Sequence, residues 1–284
     1  MLQPHERSFR SLSAHGFHRV VYRDWGHPES VRVVVCAHGL TRNGRDFDAL
    51  AAALADRFRV LCPDMPGRGD SQWLANPGDY AFPTYLAALT GMLAHAGVEQ
   101  VAWVGTSMGG LLGMIMAAQP GSPVTRLVIN DIGPTIEPAA LARIAGYVGL
   151  DPVFDTFPAL EAHIREVSAP FGALTDAQWT ELARTTSRQT SDGGWHLKYD
   201  PGIAVPFRGA AATGGDLWPV WDAVRCPTLL LRGATSDLLS RETAAAMCAR
   251  GPAPRMIEIP GVGHAPMLLS PEQIAPVAAF LDAG

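Results

Sequence analysis

Short apolar runs rich in β-branched residues recur along the chain with helical patterns between them, and this rhythm constrains the fold more than any other feature. The runs are HRVVYRD, VRVVVCAHG, FRVLCPD, QVAWVGTS, TRLVINDIG, PTLLLRG and RMIEIPG. Their near-continuous apolarity fits strands buried on both faces. Between them, RDFDALAAALADRF sets Phe47, Leu50 and Leu54 on one helical face, with Asp46 near the first turn, where the helix dipole favours a carboxylate. Strands alternating with helices imply an α/β fold, a mostly parallel sheet with helices on both faces.

The rhythm breaks after Pro134, and the next strand-like run begins only at Thr228. That gap exceeds an ordinary crossover, so an insertion is expected. PAALARIAGYVGL, FPALEAHIREVS and TDAQWTELARTTSR carry helical periodicity, and SDGGWHLKYDP reads as a loop. The expected organisation is a core from 1–133 and 215–284 and a helical cap from 134–214, over the carboxyl edge of the sheet. SPEQIAPVAAFLD reads as the helix that closes the core.

With 284 residues, 48% of them hydrophobic and 17% charged, the chain can bury a large core. Its net charge of −5 comes without acidic or basic blocks, which argues against a nucleic-acid partner. The amino-terminal MLQPHERSFRSLSAHGFHRV is too polar for a signal peptide, and no run approaches the ~18 apolar residues of a membrane span. A cytoplasmic protein with no membrane partner is the expectation. Cys36, Cys62, Cys226 and Cys248 are widely separated and read as buried thiols. No residue cluster calls for a metal or an organic cofactor, and nothing in the chain sets an oligomeric state.

The stretch VAWVGTSMGGLLG crowds small residues around one serine where an apolar run ends and a helical run begins. Gly105-Thr106-Ser107-Met108-Gly109 is a G-x-S-x-G pattern in a strand-then-helix context, which points to a nucleophile on a sharp turn. Residues two before and two after such a serine pack closely, so a Cβ at Gly105 or Gly109 would collide. A serine hydroxyl is a weak nucleophile until a histidine takes its proton, and the histidine needs an acid to hold its tautomer. His264, in the glycine-bounded loop of IPGVGHAPMLLS, is the candidate base. Asp237 in LLLRGATSD is the favoured acid, completing a Ser, Asp, His order along the chain. Asp131 in VINDIG, at the end of the strand after the nucleophile helix, is the alternative. Asp64 and His38 read as loop braces, and GRGDS as a strand-to-helix turn. Backbone amides of Met108, just after the serine, and Leu40, in CAHGLTRNG, are the expected oxyanion donors.

Together, AHGLTRNGRDFD, CPDMPGRGDS, VGTSMGG, LLLRGATSD and GVGHAPML resemble the α/β-hydrolase superfamily, in its capped branch of microbial esterases, lactonases and carbon-carbon bond hydrolases. The resemblance covers the core and says little of 134–214. It implies an eight-stranded sheet, a Ser107, Asp237, His264 triad, and oxyanion amides from Leu40 and Met108. Haloalkane dehalogenases and epoxide hydrolases of that superfamily need a carboxylate nucleophile, which the serine at the elbow excludes. The expected activity is hydrolysis of neutral carboxylic esters of small to medium size through an acyl-enzyme, because no cationic cluster is visible near the elbow. A lactone or polyester oligomer would also fit. The same residues would suit carbon-carbon cleavage or a cofactor-free haloperoxidase, and a small-molecule receptor that retains the triad is the reading from a different class. Tyr147, Phe154, Phe171, Trp179 and Trp195 are read as packing residues.

Overall fold

The computed structural model describes residues 3–206 and 215–283. The elements begin with an edge hairpin, β1 (His5–Ser13) and β2 (Gly16–Trp25), followed by β3 (Val33–Ala37), α1 (Asp48–Leu54), β4 (Arg59–Asp64) and α2 (Phe82–His95). Then come β5 (Val101–Thr106), α3 (Met108–Ala117) and β6 (Val124–Asn130). The segment beyond β6 holds α4 (Pro138–Ala145), α5 (Phe157–Val167), α6 (Asp176–Thr185) and the short strands β7 (Ser187–Gln189) and β8 (Trp195–Leu197). After it come α7 (Trp218–Ala223), β9 (Thr228–Gly233), α8 (Arg241–Ala249), β10 (Arg255–Ile259) and α9 (Pro271–Asp282).

Eight strands form one sheet in the order β1-β2-β4-β3-β5-β6-β9-β10. The β1/β2 and β2/β4 pairs are antiparallel and the remaining pairs parallel, so the sheet is mostly parallel, as its buried strands imply. Strand alternation divides the core between the faces. Val33, Val35, Val101 and Trp103 pack with α2, α3, α7 and α8 on one side. Val34, Cys36, Ala102 and Val104 pack with α1 and α9 on the other. Phe47, Leu50 and Leu54 are buried in this second layer.

Two features differ from the sequence reading. β1 is an additional strand, mostly exposed, pairing from His5↔Asp24 to Ser13↔Gly16. Its sequence has too few apolar residues to register as a buried strand. SDGGWHLKYDP is not purely a loop, since Trp195–Leu197 pairs antiparallel with Ser187–Gln189. β6 and β9 are neighbours in the sheet although α4–α7 and β7–β8 separate them in sequence. Within that segment, Leu160, Ile164, Trp179 and Leu182 form a small cluster of their own, closed against Met267. The last residues of the expected insertion, 207–214, lie outside the described residues. Among the described residues, no helix is long and apolar enough to cross a membrane.

Candidate active site

β5 ends at the carboxyl edge of the sheet and α3 starts at once, leaving Ser107 alone in the turn at φ 53°, ψ −119°. A non-glycine residue rarely adopts this conformation, which costs on the order of 1–3 kcal/mol and persists only where its surroundings enforce it. The enforcing contacts are short. A Cβ on Gly105 would lie 2.3 Å from the Gly109 carbonyl oxygen, and one on Gly109 would lie 2.0 Å from that of Ala37 in β3. The Ser107 amide donates to Asn130 at the end of β6, 3.0 Å away, so the neighbouring strand holds the turn as well.

Ser107 Oγ lies 2.9 Å from His264 Nε2, and His264 Nδ1 lies 2.9 Å from Asp131 Oδ2. Asp131 is fully buried at φ 57°, in the turn that leaves β6. Its Oδ1 accepts the Gly233 amide at 2.8 Å, and its Oδ2 accepts the Ser236 hydroxyl at 2.7 Å. Donors on several sides fix the plane of the carboxylate. With Nδ1–H donated to Asp131, Nε2 is the ring's acceptor and faces the Ser107 hydroxyl. Such an array can draw a proton from the hydroxyl as its oxygen attacks a carbonyl.

Asp237, the favoured acid of the sequence reading, is not part of this array. Its carboxylate is half-exposed and pairs with Arg143 of α4, accepting from Nε at 2.8 Å and Nη2 at 3.0 Å. The turn after β9 explains the exchange. Gly233 and Ser236 point their amide and hydroxyl inward, onto Asp131, and the next side chain then faces outward. β6 neighbours β5, which ends at Ser107, so an acid at the end of β6 lies one strand from the serine, and the loop after β10 brings His264 across to it.

The amides of Leu40 and Met108 have no acceptor within the chain among the described residues, and both residues border the space beside Ser107. The Leu40 loop rests on two buried side chains. His38 donates from Nδ1 to the Gly39 carbonyl at 2.7 Å and accepts the Met65 amide on Nε2 at 2.9 Å, tying the β3 loop to the β4 loop. Burial pulls its pKa down to about 3, helped by the charges of Arg68 and Arg42 and opposed by the Gly39 bond. Neutral His38 is thus built into the fold, whereas an unfolded chain takes up a proton near pH 6.5. Stability is expected to fall as pH drops below about 6.5, by up to about 1.4 kcal/mol per pH unit from this group alone. Denaturant midpoints measured between pH 7 and 4 should show a shallower fall in His38→Gln than in the wild type.

Arg68 is the second support, and the sequence reading passed over it as part of a turn. It is fully buried. Nε donates to the Leu40 carbonyl at 2.8 Å, and Nη1 donates to the Pro66 carbonyl and the Tyr85 hydroxyl, each at 2.7 Å. Nη2 lies 4.0 Å from the Met108 sulfur. Among the described residues no carboxylate forms an ion pair with it, and the Tyr80 hydroxyl donates to Asp200 at 2.5 Å. Asp64 braces the same region as expected, accepting the Gly44 and Asp70 amides at 2.8 Å each, with its pKa raised by burial against the charge of Arg23.

Two cavities open on Ser107 and Leu40. One, of about 210 Å³, is bordered by His264, Arg42, Arg143, Tyr147, Phe171 and Thr186. The other, of about 430 Å³, is apolar and bordered by Met108, Leu111, Ile132, Ile136, Leu141 and Leu238. Of the five aromatics read as packing residues, Tyr147 and Phe171 line the smaller cavity. Trp179, Phe154 and Trp195 belong to the α5–α6 cluster. The absence of a cationic cluster near the serine also needs correcting, because folding brings Arg42 and Arg143 to one cavity wall from distant parts of the chain. Among the described residues, no three His, Cys, Asp or Glu side chains converge as they would to hold a metal ion.

The sheet, the turn at Ser107 and the topology define a hydrolase class, and the match to a family model agrees. Residues 34–277 match the alpha/beta hydrolase family, and the chain belongs to it. A 3-hydroxybutyrate-oligomer hydrolase of Cupriavidus necator is 48% identical over 277 residues, covering 95% of this chain and 94% of the relative. A 2-(acetamidomethylene)succinate hydrolase of Mesorhizobium japonicum is 28% identical over 251 residues, covering 87% and 86%. The crystal structure of an alpha/beta hydrolase from Novosphingobium aromaticivorans superposes with a TM-score of 0.90 at 39% identity over the whole of both chains. The protein is a hydrolase with esterase relatives.

Proposed function

We propose that the chain is a serine ester hydrolase acting on short oligoesters of a 3-hydroxy acid such as 3-hydroxybutyrate. The observation that carries this reading is the unbroken hydrogen-bonded line from Asp131 through His264 to Ser107 Oγ. The 48% identity to an enzyme named for 3-hydroxybutyrate oligomers supports the substrate class.

In the mechanism this implies, Ser107 Oγ attacks the ester carbonyl while His264 Nε2 takes its proton. Asp131 holds the ring and stabilises the imidazolium. The tetrahedral oxygen accepts from the amides of Leu40 and Met108, and collapse breaks the carbon–oxygen bond. His264 hands its proton to the departing alkoxide, which leaves as the hydroxyl end of a shortened oligomer. Water, deprotonated by the same histidine, then attacks the acyl-enzyme and releases the carboxylic acid and the serine.

A direct test pairs turnover with trapping. The 3-hydroxybutyrate dimer is expected to yield two monomers over many turnovers, and an alkyl fluorophosphonate is expected to abolish that activity and leave one adduct, on Ser107, by peptide mass spectrometry. Binding of the dimer without product would favour a receptor, and an adduct elsewhere would refute the nucleophile.

A further inference from the structure

The two cavities at Ser107 differ in chemistry and in their relation to the general base. His264 borders the smaller cavity and is absent from the lining of the larger one. Since the histidine delivers the proton to the leaving oxygen, that oxygen must lie on the histidine's side. The smaller cavity therefore receives the leaving alcohol, and the larger apolar one, beside Met108, receives the acyl chain.

The leaving side carries two guanidinium groups. Arg42 binds Asp46 through Nε at 2.8 Å and Nη2 at 2.6 Å, and Arg143 binds Asp237 through Nε and Nη2 in the same way. Each arginine thus commits the Nε and Nη2 edge of its fork to an aspartate, and Arg143 also hydrogen-bonds the Tyr147 side chain. The Arg42 pair is largely covered, with side chains 14% and 10% exposed, whereas the Arg143 pair is open, at 43% and 46%. Tyr147 joins them on the wall, its hydroxyl pushed up in pKa by burial and drawn back by Arg143.

We propose that Arg143, backed by Arg42, is a subsite for the free carboxylate of the leaving hydroxy acid, and that Asp237 tempers its charge. The proposal rests on the ester-hydrolase reading above and adds the polarity of the substrate to it. When a 3-hydroxy acid departs as the alcohol, its own carboxylate lies only a few bonds from the scissile oxygen, inside this small cavity. A guanidinium edge suits a planar carboxylate, and a paired aspartate keeps the empty cavity from carrying a bare positive charge. The cleavage preferred by this arrangement is at the carboxyl end of an oligomer, releasing one monomer at a time.

The decisive comparison uses two substrates, the 3-hydroxybutyrate dimer with its terminal carboxylate and the same dimer with that group as a primary amide. The readout is the ratio of their kcat/KM values. Wild type is expected to favour the acid, mainly through KM. Arg143→Gln should lower the ratio by about tenfold, the worth of one charge-assisted bond. Asp237→Asn should raise it severalfold, because it leaves the guanidinium uncompensated. Arg143→Lys, which keeps the charge and loses the fork, should fall between Arg143→Gln and wild type. A merely structural ion pair would make Arg143→Gln and Asp237→Asn move the ratio together or leave it still, and either result overturns the proposal. If wild type cleaves amide and acid equally, the subsite is refuted while the hydrolase reading stands; if it cleaves neither, both fall.

Discussion

Asp131→Asn is expected to lower kcat on a p-nitrophenyl butyrate substrate by about 10⁴-fold, whereas Asp237→Asn stays within about tenfold of wild type. The asparagine keeps the shape of the buried site but can present a donor amide to His264 Nδ1, where the carboxylate only accepts. That reverses the ring's preferred tautomer and puts a proton on Nε2, opposite the Ser107 hydroxyl that needs an acceptor there. The Gly233 amide would still donate to Oδ1, and the Ser236 hydroxyl, which shares Oδ2 with His264, can turn to accept from the amide nitrogen that replaces it, so loss of the fold is not the expected cause. Asp237 has no contact with the histidine and spends its carboxylate on Arg143. Steady-state rates of the two purified variants, beside Ser107→Ala at about 10⁶-fold below wild type, decide between the two acids. An inactive Asp237→Asn with an active Asp131→Asn would reverse the assignment.

The misreading of the acid shows where sequence information ends. Both aspartates follow an apolar strand, and both lie between the serine and the histidine in chain order, so motif logic accepts either. What separates them is the rotation of two turns: Asp131 enters at φ 57° with its side chain inward, and the β9 turn directs Gly233 and Ser236 toward it. No composition signal encodes that rotation. The strands of the parallel core were legible because burial on both faces leaves β-branched runs such as VVVCA and TLLLRG. β1 was not, since an exposed edge strand pairs through its backbone and needs few apolar side chains. Ser107, Gly105 and Gly109 could be found because close packing around a sharp strand-to-helix turn leaves a local signature. Arg42 and Arg143 leave none, as only the tertiary fold puts them on the same wall. Arg68 sits between, since its surroundings in PGRGDS mark a turn but give no hint that the side chain points into the core.

Arg68→Met is expected to be the most damaging substitution away from the reacting groups, with a loss of stability of about 3–5 kcal/mol and a separate loss of turnover. The methionine fills part of the volume and donates nothing, leaving the Leu40 and Pro66 carbonyls and the Tyr85 hydroxyl without the partner they have in the fold. Each stranded buried acceptor costs on the order of 1–3 kcal/mol. Removal of a cation that has no carboxylate ion pair offsets part of this, since no partner anion is left bare. The catalytic consequence runs through Leu40. Its carbonyl is held by Arg68 and the residue borders the space beside Ser107, so if its amide is the proposed oxyanion donor, a loop released at the carbonyl no longer fixes it. Loss of one oxyanion donor typically costs about 10²- to 10³-fold in kcat. Because the donor acts on the tetrahedral state, KM should change far less than kcat. A boronic-acid inhibitor, which reacts with the serine to mimic that state, should lose affinity in step with kcat. Arg68→Lys retains a cation and can reach one of the three acceptors, so its stability should be intermediate. If Arg68→Met lowers the unfolding midpoint but leaves kcat and boronate affinity at wild-type values under native conditions, the residue supports only the fold and Leu40 does not depend on it.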